Sequence, residues 1–352
     1  MTTAASTRTT TAKKARQQRV PVTNAVVIAL TQAADEAVAW WDEYDTLDDL
    51  DLGNDLEDVL ASARRRGLET VEDLRREAGK VITDVTGIAS ITTFTTASGA
   101  NALHRAKNTI AAIVFAAQVR HGDDPQSPYD LVETLPTVAP RHGSKRRPLH
   151  DDEVLLTRSS AVHSLHRGGR YLLVANQYAL AESGAYPMET TSIEPVDFDS
   201  VIAPTTVLLP GVNTWSTQRR ARLTRFAARL LAECLDRHLA AGGSAATWRL
   251  CYRGEGGKGA ASASSSNNLK NLTIRIGITQ PALEGSAATR WRIRKELKDR
   301  GDIAALRLMG KVKNKKNGPY YDISKVYDFL NLPPESSPAL GEDDYDDDFT
   351  DF

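Results

Sequence analysis

Residues 179–200 read Ala-Leu-Ala-Glu-Ser-Gly-Ala-Tyr-Pro-Met-Glu-Thr-Thr-Ser-Ile-Glu-Pro-Val-Asp-Phe-Asp-Ser, and this segment decides how the rest of the chain is interpreted. Its first residues continue an apolar stretch typical of a buried helix. The acidic residues Asp197 and Asp199 precede a β-branched and aliphatic run at 201–209, which predicts a strand. The segment therefore predicts a helix and the entry into a hairpin.

This order of residues resembles the first catalytic motif of the tyrosine recombinases, the phage-type integrases. In that motif an apolar helix runs into Thr-Gly-x-Arg, which is followed by a Glu, an aliphatic residue and Asp-x-Asp. Ser183-Gly184 stands for Thr-Gly, and the further matches are Glu189, Ile193, Asp197 and Asp199. Tyr186 occupies the position of the catalytic arginine. The resemblance implies a recombinase-like fold, whereas the exchange at Tyr186 questions recombinase chemistry.

The resemblance implies a mostly α-helical chain with an α+β catalytic-type domain that contains a small antiparallel sheet. Within this frame the sequence predicts a flexible basic arm at 1–21, a helical core-binding domain at 22–135, a basic linker at 136–147, a recombinase-like domain at 148–330 and a disordered acidic tail at 331–352. The linker boundaries follow from a Pro- and Arg-rich stretch that has no core pattern.

Tyrosine recombinases cut one DNA strand by attack of a tyrosine hydroxyl on a phosphodiester, which leaves a covalent phosphotyrosine. The resemblance implies two arginines on the phosphate oxygens, a lysine as a general acid and His or Trp supports, without a metal or other cofactor. The lysine position falls on Asn213, and no lysine occurs between Lys145 and Lys258. Tyr186 is neutral near pH 7 and offers no bidentate fork to a phosphate. Two of the expected charges are therefore missing.

The second catalytic motif, His-x-x-Arg, is best matched by residues 287–290. Arg290 would be the second catalytic arginine, while Ala287 takes the histidine position. A later phrase resembles the family's Leu-Gly-His, with Lys311 in place of the histidine, and the expected spacing puts the nucleophile on Tyr320. Tyr320 also has a purely structural interpretation, as an aromatic anchor for the last helix.

Charge is strongly segregated along the chain, although the net formal charge is only −1. Residues 1–79 carry 10 Lys/Arg against 15 Asp/Glu, residues 80–330 carry 34 against 22, and residues 331–352 carry none against 8. A body this basic is suited to a phosphate backbone, because each Lys or Arg placed on a phosphate releases condensed counterions. Ordinary solvated helix faces are the alternative explanation.

Local patterns predict the elements that would carry these charges. Apolar spacing predicts a long amphipathic helix at 96–120, and Ser216 is predicted to cap another that ends near Ala240. A strand is predicted at 247–252 and a Gly/Ser/Ala-rich loop at 254–268, with helices near Leu269 and at 287–298. The predicted DNA-binding residues are Arg105, Lys107, Lys145, Arg146, Arg147, Arg219, Arg220, Arg222, Lys311, Lys313, Lys315 and Lys316.

Composition places the chain in a reducing compartment. Two cysteines, Cys234 and Cys251, give neither a disulfide framework nor a zinc-ligand pattern. The sequence shows no apolar run near the roughly 20 residues that span a bilayer. We therefore expect a cytoplasmic protein that uses no metal and does not enter the membrane.

The predicted function is duplex DNA binding by a catalytically impaired recombinase relative in a phage or mobile-element context, with self-association on DNA as a further possibility. One alternative is an active integrase in which Lys311 or Arg220 replaces the missing groups. Another is a protein-interaction module. The segment at 341–352 interleaves acids with aromatic residues, and three roles stay open for it: contact with the basic groove when DNA is absent, solubility, or docking to another protein.

Overall fold

The computed structural model describes residues 27–44, 50, 52–93, 96–121, 135–141, 146–212, 216–251, 257–275, 277, 283–315 and 318–332. The predicted arm at 1–21, the acidic tail from 333 onwards, Lys145, Asn213 and Lys316 lie outside these residues. The described part is mostly helical with short antiparallel hairpins, which confirms the predicted fold class.

Among the described residues, four helices precede the predicted linker: α1 (Leu30–Glu43), α2 (Gly53–Arg65), α3 (Val71–Thr86) and α4 (Ala97–His121). A capping box starts α3, because the Thr70 hydroxyl accepts the Asp73 N–H at 3.0 Å while the Asp73 carboxylate accepts the Thr70 N–H at 3.2 Å. The long helix predicted at 96–120 is present as α4, but it is not amphipathic along its whole length, because every residue from Asn108 to Ala117 is buried. It packs against the three other helices and buries Leu103, Ile110 and Ile113 completely.

The chain beyond the linker begins with α5 (Asp151–Arg167), α6 (Tyr171–Glu182) and the single turn α7 (Pro187–Thr190). Strands β1 (Thr206–Leu209) and β2 (Arg219–Arg222) precede α8 (Arg225–Ala240), α9 (Gly257–Arg275) and α10 (Ala287–Met309). Strands β3 (Lys313–Lys315) and β4 (Gly318–Tyr320) lead to α11 (Ser324–Leu330). Helix α10 is broken at Gly301, whose φ of 80° and ψ of −176° are not helical.

Each hairpin is antiparallel. Strand β1 pairs with β2 so that Thr206 faces Arg222 and Leu208 faces Arg220. Strand β3 pairs with β4 so that Lys313 faces Tyr320. Because side chains alternate along a strand, Arg220 and Arg222 share the exposed face of β2, whereas Ala221 is buried on the other.

The predicted start of the helix at Ser216 is wrong. Ser216 lies in an isolated bridge to Val212, and the arginines that follow it form β2. The helix begins only at Arg225, where the Thr224 hydroxyl accepts the Ala227 N–H at 3.0 Å. The predicted strand at 201–209 is likewise shorter, because regular pairing with β2 starts at Thr206.

The predicted loop at 254–268 is also wrong, because residues from Gly257 onwards belong to α9, which continues past Leu269. Small residues let this helix pack closely. The Ser265 hydroxyl lies 2.8 Å from the Thr190 hydroxyl, and a Cβ on Gly285 would meet the Ser266 carbonyl oxygen at 2.6 Å. Tertiary packing thus overrides a loop-like composition. The strand predicted at 247–252 is replaced by a 3-10 turn at Ala245–Thr247 and irregular backbone to Cys251.

Helix α5 lies at the centre of the described residues. It packs against α4, α6, α8 and α9, and every side chain from Asp152 to Leu165 is buried. Buried hydrophobic residues from Leu30 to Leu330 form one connected cluster around it. The division into two domains stays a prediction, but the two parts share this core.

Buried ion pairs satisfy the charged residues at the start of α5. Arg141 donates to both oxygens of Asp152 at 2.9 and 2.7 Å, and Asn108 of α4 donates to Asp152 at 2.7 Å. Arg147 donates to both oxygens of Glu153 at 2.7 and 2.6 Å. Burial alone would raise the pKa of Glu153, but the guanidiniums of Arg147 and Arg141 outweigh it and lower that pKa to about 2.

Two histidines beside these pairs are uncharged at neutral pH. Burial and the nearby Arg141 lower the pKa of His104 to about 4 and the pKa of His150 to about 3. His104 donates through Nε2 to the Ala139 carbonyl at 2.9 Å. The charge at this junction therefore comes from the arginines and carboxylates.

Asp152→Ala is expected to lower the free energy of unfolding by about 3–5 kcal/mol, because it breaks a fully buried ion pair and leaves the Arg141 guanidinium with Glu153, at 2.8 Å, as its remaining carboxylate partner. Urea denaturation followed by circular dichroism measures the change. The control is Arg76→Ala, because Arg76 is paired with Asp73 at the surface with 63% of its side chain exposed. Solvent screens that pair, so the control should change stability little. Equal effects of the two substitutions would contradict a structural role for the buried pairs.

Candidate nucleic-acid interface

The position of the first expected arginine lies inside a compact cluster. This cluster, termed the Tyr186 cluster, contains Tyr186, Glu189, Arg219, Arg290 and Phe329. The Tyr186 hydroxyl donates to the Met309 carbonyl at 3.4 Å, and its ring meets the Phe329 ring edge-on at 5.6 Å between centroids. Burial raises the pKa of the Tyr186 phenol, so this side chain is neutral at physiological pH.

Glu189 is the buried anion of the cluster, and Arg219 from β2 neutralises it. Arg219 donates to the two Glu189 oxygens at 2.6 and 3.0 Å. The same carboxylate accepts the Ser216 hydroxyl at 2.8 Å and the Tyr186 N–H at 2.8 Å. Arg219 further donates to the Gly184 carbonyl at 3.2 Å and to the Leu308 carbonyl. Its guanidinium is therefore committed to internal acceptors.

Arg290, the expected second arginine, lies at the start of α10 with only 9% of its side chain exposed. Its guanidinium carbon lies 4.0 Å from the centroid of the Phe329 ring, a cation–π contact. Arg290 is also 3.7 Å from Glu284, and burial lowers the pKa of its guanidinium. The hydrophobic residue Phe329 thus covers both Tyr186 and Arg290.

Two glycines allow the cluster to close. Gly184 has a φ of 102°, and a Cβ there would meet the Leu308 Cδ1 at 2.7 Å. Gly310 has a φ of 65° and ends α10, where the Thr217 N–H donates to its carbonyl at 2.8 Å. A Cβ at Gly310 would meet the Thr217 carbonyl oxygen at 2.8 Å. Both positions bring the end of α10 against the turn after α6 and against β2.

The other expected catalytic positions lie on neighbouring elements. Ala287 is buried at the first residue of α10, and its carbonyl accepts the Leu149 N–H at 3.3 Å. Lys311 follows α10, and its N–H donates to the Leu306 carbonyl at 3.0 Å. Tyr320 lies on β4, in register with Lys313, and Lys315 ends β3. A catalytic role for Tyr320 and Arg290 stays a prediction.

A groove lies on the other side of β2, between the β1–β2 hairpin and α10. Its cavity volume is about 450 Å³. We name it the arginine groove after its five arginines, which are Arg220, Arg222, Arg292, Arg300 and Arg307. Glu296 is the acidic residue of its lining, so the lining carries a net formal charge of +4. Its apolar residues are Leu208, Ala221, Ala304 and Leu308.

Glu296 compensates part of this charge. It accepts from Arg292 at 3.1 Å and from Arg300 at 2.6 Å. Arg220 donates to the Thr206 hydroxyl at 3.1 Å, so it lies along the hairpin. Arg220, Arg222 and Arg307 are exposed side chains. One carboxylate among five guanidiniums leaves the groove strongly attractive to anions.

The predicted DNA-binding residues fall into separate groups. Arg220 and Arg222 line the arginine groove. Arg147 and Arg219 are instead buried in ion pairs, which contradicts their predicted surface role, because their charges are needed by Glu153 and Glu189. The remaining ones are placed as follows: Arg105 pairs with Asp55 at 2.8 Å, Arg146 pairs with Glu284 at 3.2 Å with 72% of its side chain exposed, and burial lowers the pKa of Lys107.

Sequence analysis missed Arg292, Arg300 and Arg307. Arg292 and Arg300 each stand four residues from Glu296, a helical charge spacing that was the available signal. Arg307 lies beyond the break at Gly301, so helical periodicity does not relate it to the other two. Arg220 and Arg222 face the same groove because β2 is a strand. The sequence pattern at these residues also suits a helix, so it did not predict the strand.

Comparisons with known proteins give a distant likeness. No protein-family profile matches the chain, and no curated protein matches it. Among solved structures, the chain is similar to the crystal structure of XerA recombinase, at 11% sequence identity and a TM-score of 0.38, with 86% of this chain and 95% of that chain covered. A likeness at this level carries no argument about chemistry, so the function is argued from the side chains.

Neither a membrane-spanning helix nor a metal-binding cluster is found among the residues that the structure describes. None of the described helices is long and apolar enough to cross a membrane. No group of three or more His, Cys, Asp or Glu side chains in the described ranges is placed to hold a metal ion.

Arg219→Ala should lower the free energy of unfolding by about 3–5 kcal/mol, because it leaves the fully buried Glu189 carboxylate without its cation. Arg222→Ala, three residues along the same strand and exposed, should change stability by no more than about 0.5 kcal/mol. Urea unfolding of the two variants measures the difference. An unchanged stability for Arg219→Ala would mean that its guanidinium is available to a ligand, against the assignment made above.

Proposed function

We propose that the protein binds duplex DNA, in the manner of a tyrosine recombinase or integrase relative, and does not cut it. The observation that carries the proposal is the arginine groove, in which five guanidiniums and one carboxylate line a cavity of about 450 Å³. Arginine suits phosphate because its planar fork donates two parallel hydrogen bonds and stays charged at any physiological pH.

The β1–β2 hairpin supports contacts to more than one phosphate. Arg220 and Arg222 are two residues apart on one face of β2, which separates their Cα atoms by about 6.6 Å. Arg307 approaches the same groove from α10. Guanidiniums carried by a strand and a helix at different positions can each bind a separate phosphate of a backbone. The basic balance of residues 80–330, with 34 Lys/Arg against 22 Asp/Glu, adds long-range attraction.

Binding without cleavage is supported by the Tyr186 cluster. Phosphoryl transfer needs preorganised positive charge where the phosphorane develops, and removal of one such group typically costs about 100- to 1,000-fold in rate. Here a neutral phenol takes the place of the first arginine, and the nearest guanidinium, that of Arg219, is bound to Glu189. A methyl group, that of Ala287, takes the place of a histidine. Together these exchanges favour a DNA-binding role over strand transfer.

The test is fluorescence anisotropy of a labelled random-sequence duplex over a salt series. The double variant Arg220→Ala/Arg222→Ala should bind at least about tenfold more weakly at low salt, and its plot of log affinity against log salt should be shallower by up to about 2, one for each lost phosphate contact. The matched control is Arg64→Ala/Arg65→Ala, which removes the same charge from an exposed site at the end of α2.

The control variant should keep most of the affinity. Equal losses of DNA affinity in the two double variants would mean that the groove contributes only general electrostatic attraction. That result would overturn its assignment as the DNA-binding site. Failure of the unchanged protein to bind duplex DNA at low salt would overturn the proposed function and favour the protein-interaction alternative. A single-stranded probe of the same length is included, and a clear preference for it would contradict duplex binding.

A further inference from the structure

The lining of the arginine groove includes apolar side chains, which do not contribute to phosphate binding. Its lining combines the guanidiniums with an apolar floor, in which Leu208 and Ala304 are partly exposed while Ala221 and Leu308 are buried beneath. Leu208 comes from the hairpin, and Ala304 comes from α10 beyond its break at Gly301. A phosphate backbone gains nothing from aliphatic side chains. A ligand that carries both carboxylates and aromatic rings would use the floor and the rim together.

One segment of this chain has that composition. Residues 341–352 read Gly-Glu-Asp-Asp-Tyr-Asp-Asp-Asp-Phe-Thr-Asp-Phe. Aromatic residues recur within the acids at Tyr345, Phe349 and Phe352, and residues 331–352 contain no Lys or Arg to offset eight Asp and Glu. The segment is therefore complementary to the groove in charge and in its alternation of charged and apolar groups.

The fold also tethers this segment close to the groove. Helix α11, which ends two residues before the last described residue, packs against α10. The Tyr327 hydroxyl donates to the buried Asp302 carboxylate at 2.8 Å. Asp302 stands between Arg300 and Ala304, which both line the groove. The eight residues from 333 to 340 can span up to about 26–29 Å when extended, so the segment can reach a groove on the helix that anchors α11.

We propose that residues 341–352 bind in the arginine groove of the same chain, with carboxylates on the guanidiniums and an aromatic ring on the apolar floor, and that they compete there with DNA. The competition rests on the proposed function, whereas the contact itself does not. Each surface ion pair is weak and is screened by salt. The tether compensates for this weakness, because it holds the segment at an effective concentration in the millimolar range. The contact is thus reversible and strongest at low salt.

The direct test needs no DNA. The full-length double variant Ala304→Cys/Asp347→Cys places one thiol in the groove and one in the acidic segment. The native Cys234 and Cys251 are buried, so mild oxidation should act mainly on the introduced pair. An intramolecular disulfide, seen as faster migration on a non-reducing gel, is expected at low salt and should decrease several-fold at 1 M salt.

Two comparisons make this test specific. Pairing Asp347→Cys with Thr31→Cys, at an exposed position on α1, should give little intramolecular product. Adding Arg220→Ala and Arg222→Ala to the groove pair should reduce its disulfide several-fold. Equal yields from the Ala304 and Thr31 pairs would overturn the proposal, and so would a product that forms only between two chains.

Competition with DNA is tested on a full-length variant in which five aspartates are changed to Asn: Asp343, Asp344, Asp346, Asp347 and Asp348. This variant should bind duplex DNA roughly threefold to tenfold more tightly than the unchanged protein at low salt, because a tethered competitor is removed. An unchanged affinity, with DNA binding intact, would overturn the competition. If no DNA binding is found at all, the proposed function fails, and the disulfide yield still decides whether the segment binds the groove.

Discussion

Helix α5 imposes the constraint on which the rest of the structure depends: it is buried along nearly its whole length, yet it carries Asp152, Glu153 and Arg158. A buried charge is tolerated only with a partner of opposite charge and with its hydrogen bonds satisfied. Arg158 therefore meets Glu182 at 2.7 Å at the end of α6. The two carboxylates pair with Arg141 and Arg147, so these two residues of the predicted linker are fixed against the central helix.

The same rule separates the arginines that are buried in ion pairs from those whose side chains are exposed at the surface. Arg219 and Arg220 are neighbours on one strand, but the pleat turns the first toward the buried Glu189 and the second toward an open groove. A basic residue is thus informative about function only once its nearest carboxylate is known. The Tyr186 cluster is a consequence of this selection, because its guanidiniums are held by Glu189 and by the Phe329 ring. The arginine groove keeps an excess of positive charge because Glu296 is the one carboxylate among the described residues of its lining.

The family resemblance implied the mostly helical class, whereas apolar periodicity and β-branched runs predicted the long helix α4 and the helix and strand on either side of Glu189. These patterns failed at Ser216 and at 254–268, where the outcome depends on tertiary packing: a strand is completed by its hairpin partner, and a helix of small residues is completed by the surface it fits. Only part of the candidate site could be predicted from the sequence. Arg220 and Arg222 stood out as basic residues, whereas the burial of Arg147 and Arg219 depends on carboxylates distant in sequence, Glu189 being thirty residues from Arg219.

The central claim is that the protein binds duplex DNA and leaves it intact. Trapping on a nicked suicide duplex tests it most directly, because a covalent phosphotyrosine would survive on a denaturing gel while a native gel reports binding in the same sample. The account predicts a salt-sensitive shift on the native gel and no covalent adduct, for the unchanged protein and for Tyr320→Phe alike. A covalent adduct that disappears in Tyr320→Phe would contradict it, and would mean that other groups supply the charge missing at Tyr186.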